Sequence, residues 1–275
     1  MALDQTAKRR LGLVLSLPVF AFLVAPTLIV IPVALTSSNF IKFPPDHVSF
    51  NAISGFFADP AWTGAAVASF EAAGIAILIG LLAGGSAAVG LHRRQFRGKG
   101  LLTAIILAPM IVPAIVLALA FYRYFLRIGF TGSILPIGLA HGVMATPFVF
   151  LTVQASLTGL NPALVNSAAS LGANALSVAR HVYLPVIRPG LIAGALFAFS
   201  VSIDETVVAI FLQAPSATTL PVKMFTDIQY NLTPKIAVSS ALLVTAATIG
   251  LLFQVLGMLR RRSTASILPL TGGNV

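Results

Sequence analysis

Cysteine is absent from this 275-residue chain, which excludes disulfides and thiolate metal centres and leaves no thiol record of a redox compartment. Charge is scarce as well: Asp, Glu, Lys and Arg make up 9% of the residues, against about 25% in an ordinary soluble domain. Acidic residues are the rarest, seven against seventeen basic ones, for a net charge of +10. Histidine is confined to His47, His92, His141 and His181, with no close pair at metal-ligand spacing, so no metal site is expected. What fills the chain is apolar, 57% of it. That balance argues against a soluble enzyme domain and for an all-α polytopic membrane protein. It also makes the positive charge a matter of topology, with no call for nucleic acid.

A helix crosses the hydrocarbon core with about 20 mostly apolar residues. Six runs qualify: 11–35, 65–91, 101–122, Ile134–Leu157, 191–213 and 236–259. With the N-terminus inside, the inner segments hold twelve basic residues: Lys8, Arg9, Arg10, Arg93, Arg94, Arg97, Lys99, Arg180, Arg188, Arg260, Arg261 and Arg262. The outer segments hold five, Lys42, Arg123, Arg127, Lys223 and Lys235. Basic residues favour the cytoplasmic side, so both termini and residues 158–190 are expected there. Lys8-Arg9-Arg10 before an apolar run has the form of a signal peptide. The run is too long for one, and no Ala-x-Ala site follows, so a retained span is expected. Pro18, Pro26, Pro32, Pro109, Pro113, Pro136 and Pro147 fall inside spans. They fit kinked helices around a cavity, or only the ordinary tolerance of membrane helices for proline. Residues 36–61 read as a loop with turn signals at Pro44-Pro45 and Asp59-Pro60; 214–235 read as a loop with an amphipathic piece at 224–230. Trp62 and Tyr122 suit the interfacial belt, and Glu71 an interfacial position. No internal repeat is present, and the chain reads as one domain, 1–275, with its core at about 61–262.

The longest inner connection is NPALVNSAASLGANALSVARHVYLPVIRPG, from Asn161 to Gly190. Bundles of spanning helices need only short connections, so a segment of this length has its own task. Asn161 and Pro162 form a helix start, Leu164, Val165, Ala168 and Leu171 follow at helical spacing, and Gly172 ends the helix. A second short helix fits 173–183, with a break at Leu184-Pro185. The segment resembles the cytoplasmic loop of binding-protein-dependent ABC importer permeases. That pattern is Glu-Ala-Ala, three residues, Gly, nine residues, Ile, one residue and Leu-Pro. Gly172, Val182 and Leu184-Pro185 keep the spacing, while Asn166-Ser167-Ala168 stands in for Glu-Ala-Ala.

AHGVMATPFVF, GALFAFSVSIDETVVAIFL and TTLPVKMFTDIQYNLTPKIAVSSALL resemble the second permease of spermidine/putrescine-type importers, over roughly residues 135–245. The resemblance implies the six-helix fold of type I ABC importer permeases in a bacterial inner membrane, with lipid around the chain. It implies a non-catalytic chain that binds no cofactor, ATP and Mg being held by a cytoplasmic ATPase dimer. A second homologous permease, a paralogue more than a second copy, and a periplasmic or surface solute-binding protein complete the set. The ATPase-coupling residues would be Leu164, Val165, Asn166, Ser167, Ala168, Leu171 and Gly172, with the Leu184-Pro185 and Pro189-Gly190 breaks setting the exit angle. Asn166 carries no charge, so the family's ion pair to the ATPase is missing here. Polyamine is the first substrate expectation; opines, amino acids, phosphonates and other small organic solutes are alternatives in the same importer class. A secondary transporter or channel would carry inverted repeats or more intramembrane charge. An intramembrane enzyme would need a catalytic cluster, and only His141 among the histidines lies in a span.

Asp204 and Glu205 sit about 22 Å of helix rise beyond Pro189, past the midplane on the outer side. An acid at that depth costs on the order of 3 kcal/mol and needs a cavity or partner. On a continuous helix neighbours point about 100° apart, so the two cannot share one site equally. Asp204 would share a face with Phe197, Ser200, Val201, Val208 and Phe211, and Glu205 one with Val201, Ser202, Ala209 and Leu212. Two roles stay open: contact with a cationic solute in a pathway that includes Ser200 and Phe197, or a structural pair or backbone hydrogen bond. His141 reads as a packed, hydrogen-bonded histidine.

Overall fold

A computed structural model describes residues 5–38, 40–92 and 95–265 of the chain, with side chains except those of 5–15, 20, 23, 26, 251 and 253–265. In order the helices are α1 (Gln5–Ala34), α2 (Asn51–Phe57), α3 (Pro60–Gly80), α4 (Ser86–His92), α5 (Lys99–Ile111), α6 (Ala114–Arg127) and α7 (Ile134–Leu157). They continue with α8 (Pro162–Ser170), α9 (Ala175–Val178), α10 (Leu184–Asp204), α11 (Val207–Leu212), α12 (Leu220–Tyr230) and α13 (Lys235–Ala265). Two π turns, Leu81–Gly85 and Ala179–Tyr183, join α3 to α4 and α9 to α10 without ending the helix. Among the described residues there is no strand, only two isolated bridges. Of the basic residues used for orientation, Arg93 and Arg94 lie outside the described residues, as do the side chains of Lys8, Arg9, Arg10 and Arg260 to Arg262.

Three described helices are long and apolar enough to cross a membrane: Pro60–His92, Ile134–Leu157 and Ala175–Asp204. A fourth is reached if α5 and α6 count as one span, although they meet at 104°. The sequence reading ran one span through 101–122 with Pro109 and Pro113 inside it as kink sites, and the structure bends the chain sharply at Val112-Pro113. Val112 precedes Pro113 and adopts extended backbone (φ −73°, ψ 132°), because the proline ring crowds the helical conformation of the residue before it.

The chain forms two compact units. One comprises Met1–Thr63 with Lys223–Ala246, the other Gly64–Val222 with Ala247–Val275. In the first, Lys235 Nζ lies 2.6 Å from Asp59 Oδ2, and Lys223 Nζ lies 2.6 Å from Asp227 Oδ1. Hydrogen bonding from Lys235 holds the Asp59 carboxyl below the usual range against the opposing effect of burial, with the Ala61 N–H helping. Trp62 is 2% exposed, so it is no interfacial belt residue as the sequence suggested. The unanticipated α2 brings Phe56 within 5.8 Å of the Trp62 ring, and Lys223 Nζ stands 5.2 Å above it.

In the second unit α7 is the central helix, with Ile137, Ala140, Ala145, Val149, Phe150 and Val153 buried. Lipid tails are as apolar as leucine, so close packing of small residues has to hold such helices together. Ala72, Ala73 and Ala76 of α3 are buried, and Gly138 and Gly142 of α7 receive Ile75 and Ile79. Two of the close approaches are to backbone. A Cβ on Gly84 would stand 2.5 Å from the Thr146 carbonyl oxygen, and one on Gly190 2.6 Å from that of Thr152. Outward-facing Leu101, Ile105, Ile111 and Val116 are exposed, as a lipid-facing surface requires.

Candidate functional site

Two features of the second unit contain the residues singled out in the sequence. The first is the segment 161–190. Asn161 caps α8 by accepting the Ala163 N–H at 2.9 Å, and Pro162 opens its first turn. The far end closes with the Gly172 N–H donating to Ala169 O and the Ala173 N–H to Ala168 O, each at 3.0 Å. Gly172 takes φ +81°, which this closing turn requires and other residues resist. Val165 and Ala168 are half-buried, with Val165 packed on the cluster of Leu157, Leu160 and Ile187. Leu164, Asn166 and Ser167 are exposed, and Leu171 is 88% exposed. The helix thus has an anchored face and a bare face, and Leu176 adds a further exposed apolar side chain beyond it. Asn174, which the sequence reading passed over, caps α9 by accepting the Ser177 N–H at 2.8 Å.

The expected break at Leu184-Pro185 is absent, because the chain stays helical from Ala175 to Asp204. Pro185 falls in the first turn of α10, directly after the π turn Ala179–Tyr183. The wider turn accommodates a ring that supplies no N–H and would otherwise clash with the preceding turn. At Pro189-Gly190, the other expected break, α10 also continues as a helix, and Gly190 packs against the α7 backbone at Thr152 and Val153.

The second feature is a cavity of about 290 Å³ at two helix breaks. Pro109, Met110, Val112 and Ala114 line it from the bend between α5 and α6, Met144 and Phe148 from α7, and Val201, Asp204 and Glu205 from the end of α10. Its volume lies near the lower bound of small-molecule pockets, about 300–1,000 Å³. Helical geometry was expected to keep Asp204 and Glu205 apart, but α10 stops at Asp204 and Glu205 is extended (φ −76°, ψ 104°). Both therefore line one cavity, and the faces proposed to include Val208, Ala209, Phe211 and Leu212 do not exist. Their surroundings differ. Glu205 Oε1 accepts the Val208 N–H at 2.9 Å at the start of α11, whereas the exposed Asp204 carboxylate meets no partner among the described residues. Phe197 stacks on Phe148 with centroids 6.0 Å apart; it and Ser200 are exposed and do not line the cavity. His141 is buried and hydrogen-bonded to Ser202, as the sequence reading expected. No His, Cys, Asp and Glu cluster that could hold a metal occurs among the described residues.

The chain is similar to known proteins. The spermidine/putrescine transport system permease PotC of Haemophilus influenzae is 26% identical over 239 residues, 86% of this chain and 93% of its own length. The putrescine transport system permease PotI of Escherichia coli is 31% identical over 237 residues, 84% of each chain. A bacterial ABC transporter that imports the acidic polysaccharide alginate shares the fold, with a TM-score of 0.68 at 15% identity, over 94% of this chain and 99% of that one. Residues 76–263 match the model of the binding-protein-dependent transport system inner membrane component, and the chain belongs to that family.

Proposed function

We propose that this chain is the polyamine-importing permease of an ABC importer, driven by ATP hydrolysis on a cytoplasmic ATPase dimer. The observation that carries the importer reading is α8, capped at both ends and anchored by Val165, with Leu164, Asn166, Ser167 and Leu171 bare toward the solvent. Leu164 and Leu171 supply apolar docking area, Ser167 and Ala168 allow close approach, and Asn166 offers neutral hydrogen bonds in place of an ion pair. Leu184 and Pro185 join this device to α10, so motion of α8 reaches the cavity through one continuous helix. ATP and Mg stay on the ATPase, and this chain is a non-catalytic transport subunit that binds no cofactor of its own.

The chain acts as a single permease domain in a bacterial inner membrane. Its six spans are α1, α3 with α4, the bent pair α5 and α6, α7, α10 with α11, and α13. Both termini and residues 158–190 face the cytoplasm, supported by the twelve-to-five division of basic residues. A homologous second permease completes the pathway, and a solute-binding protein delivers the solute from outside. The relatives named for spermidine and putrescine support a polyamine cargo, and the cavity supports a cation. Helix C-termini carry partial negative charge, and α5 and α10 both end at its wall beside the free Asp204 carboxylate. Phe148 and Met144 supply apolar wall for a methylene chain, with Phe197 stacked on Phe148.

The test is uptake of radiolabelled putrescine and spermidine into proteoliposomes containing the complete importer. The proposal expects ATP-dependent uptake that unlabelled diamines inhibit and neutral or anionic solutes do not. Uptake of an opine, an amino acid or a phosphonate with no uptake of either polyamine would replace the cargo and keep the permease. Uptake without the ATPase would remove the importer reading in favour of a secondary transporter or channel.

A further inference from the structure

One polar side chain of α7 has no part in the pathway as described. His141 is fully buried, and its Nδ1 lies 2.9 Å from Oγ of the buried Ser202 on α10. Its Nε2 is enclosed and meets no hydrogen-bond partner among the described residues. An unpaired buried nitrogen is costly, so packing alone would favour an apolar residue of similar size. What the histidine contributes is the bond from Nδ1. Ser202 stands two residues before Asp204 in the last turn of α10. On the other side of the break, Glu205 holds the first turn of α11 through Val208. Asp204 is therefore pinned from both sides while its own carboxylate stays free. Met144, about one turn beyond His141 on α7, is part of the cavity wall, so the helix that supplies the pin also shapes the space Asp204 faces.

We propose that His141 is a positioning residue for solute transfer: its bond to Ser202 fixes the last turn of α10 on α7 so that Asp204 faces the cavity. The inference rests on the cavity reading given above. It predicts a defect in handing solute through the pathway, with assembly and ATP turnover intact.

The test uses the complete importer in proteoliposomes, with radiolabelled putrescine as probe. Assembled complex, ATP turnover and putrescine moved per ATP are measured for His141→Leu, His141→Asn, Ser202→Ala and the His141→Leu/Ser202→Ala pair. Loss of one such bond corresponds to a roughly three- to tenfold fall in putrescine per ATP for His141→Leu and for Ser202→Ala. The double variant should fall no further, since both changes remove the same bond. His141→Asn should transfer nearly as the unmodified chain does, because its amide can bond where Nδ1 stands. Unchanged transfer per ATP in all variants overturns the proposal. So does loss of assembled complex in all of them, which assigns the pair to folding. Asp204→Asn in parallel separates the two readings. Unchanged transfer in Asp204→Asn removes the cavity reading itself. A fall there beside normal transfer in His141→Leu removes only the positioning role.

Discussion

Replacing Gly190 by alanine tests whether α10 is seated on α7 by backbone contact. The added Cβ would stand 2.6 Å from Thr152 O, 2.9 Å from Val153 Cα and 2.5 Å from Ser156 Oγ. The serine hydroxyl can turn away, but the carbonyl and the Cα belong to the backbone of α7 and cannot. Ordinary contact begins at 3.4 Å, so the two helices must part by about 0.8 Å at this point. Overpacking of that kind costs about 1–3 kcal/mol. The control is Gly74→Ala, where a Cβ meets nothing within 4 Å. There the methyl group should be neutral or should stabilise by about 0.5–1 kcal/mol, the usual gain of Ala over Gly inside a helix. The assay is the thermal unfolding midpoint of the purified chain in detergent, paired with solute uptake. Gly190→Ala should lower the midpoint and reduce uptake, and Gly74→Ala should do neither. Equal midpoints for Gly190→Ala and the unmodified chain would refute the argument that α10 is held this way.

A Cβ at Gly172 meets nothing within 4 Å among the described residues, but Gly172→Val forces a β-branched residue to φ +81°, at a cost of about 1–2 kcal/mol, so coupled uptake should fall while membrane insertion persists. Asn161→Ala removes the cap of α8 and should cost about 1 kcal/mol, seen as faster proteolysis of the loop in inside-out vesicles. Because Lys235 holds the Asp59 carboxyl below its ordinary value of 3.8, their pairing stabilises the chain fully above that value. The stabilisation is lost as pH falls through the depressed one. Lys235→Met should therefore lower the unfolding midpoint at neutral pH and change it little in strong acid. Glu205→Ala should reduce the amount of assembled complex, since it uncaps α11, whereas Asp204→Asn should leave assembly intact and reduce uptake of organic cations per complex.

The first helix of the loop was legible because its signals are local, while the break read at Leu184-Pro185 was not there. Asn161-Pro162 and Gly172 act through capping geometry that depends on neighbouring residues alone, and both ends of α8 fall as the sequence implies. The bend at Val112-Pro113 had the same kind of signal, since a residue before proline leaves the helical region, and Pro113 was read as a possible kink, but an unbroken apolar run gave no measure of its size. The break at Asp204 had no such mark. No proline or glycine lies between Ser202 and Leu212, so period and hydropathy alone predict a continuous helix there. Trp62 was misplaced because its burial depends on Phe56 and Lys223, and composition does not report partners of that kind. The partner of His141 was equally out of reach, since Ser202 is 61 residues away.

Cross-linking from the exposed tip of α8 tests the central claim most directly. The chain has no cysteine of its own, so Leu171→Cys supplies one thiol at a side chain that is 88% exposed. In intact cells it should resist a membrane-impermeant maleimide added outside. A short bifunctional reagent in inside-out vesicles should join it to the ATPase subunit, with a yield that changes when ATP binds. Labelling from outside intact cells, or cross-links that never include an ATPase, would contradict the assignment of this helix as the point where ATP hydrolysis drives the permease.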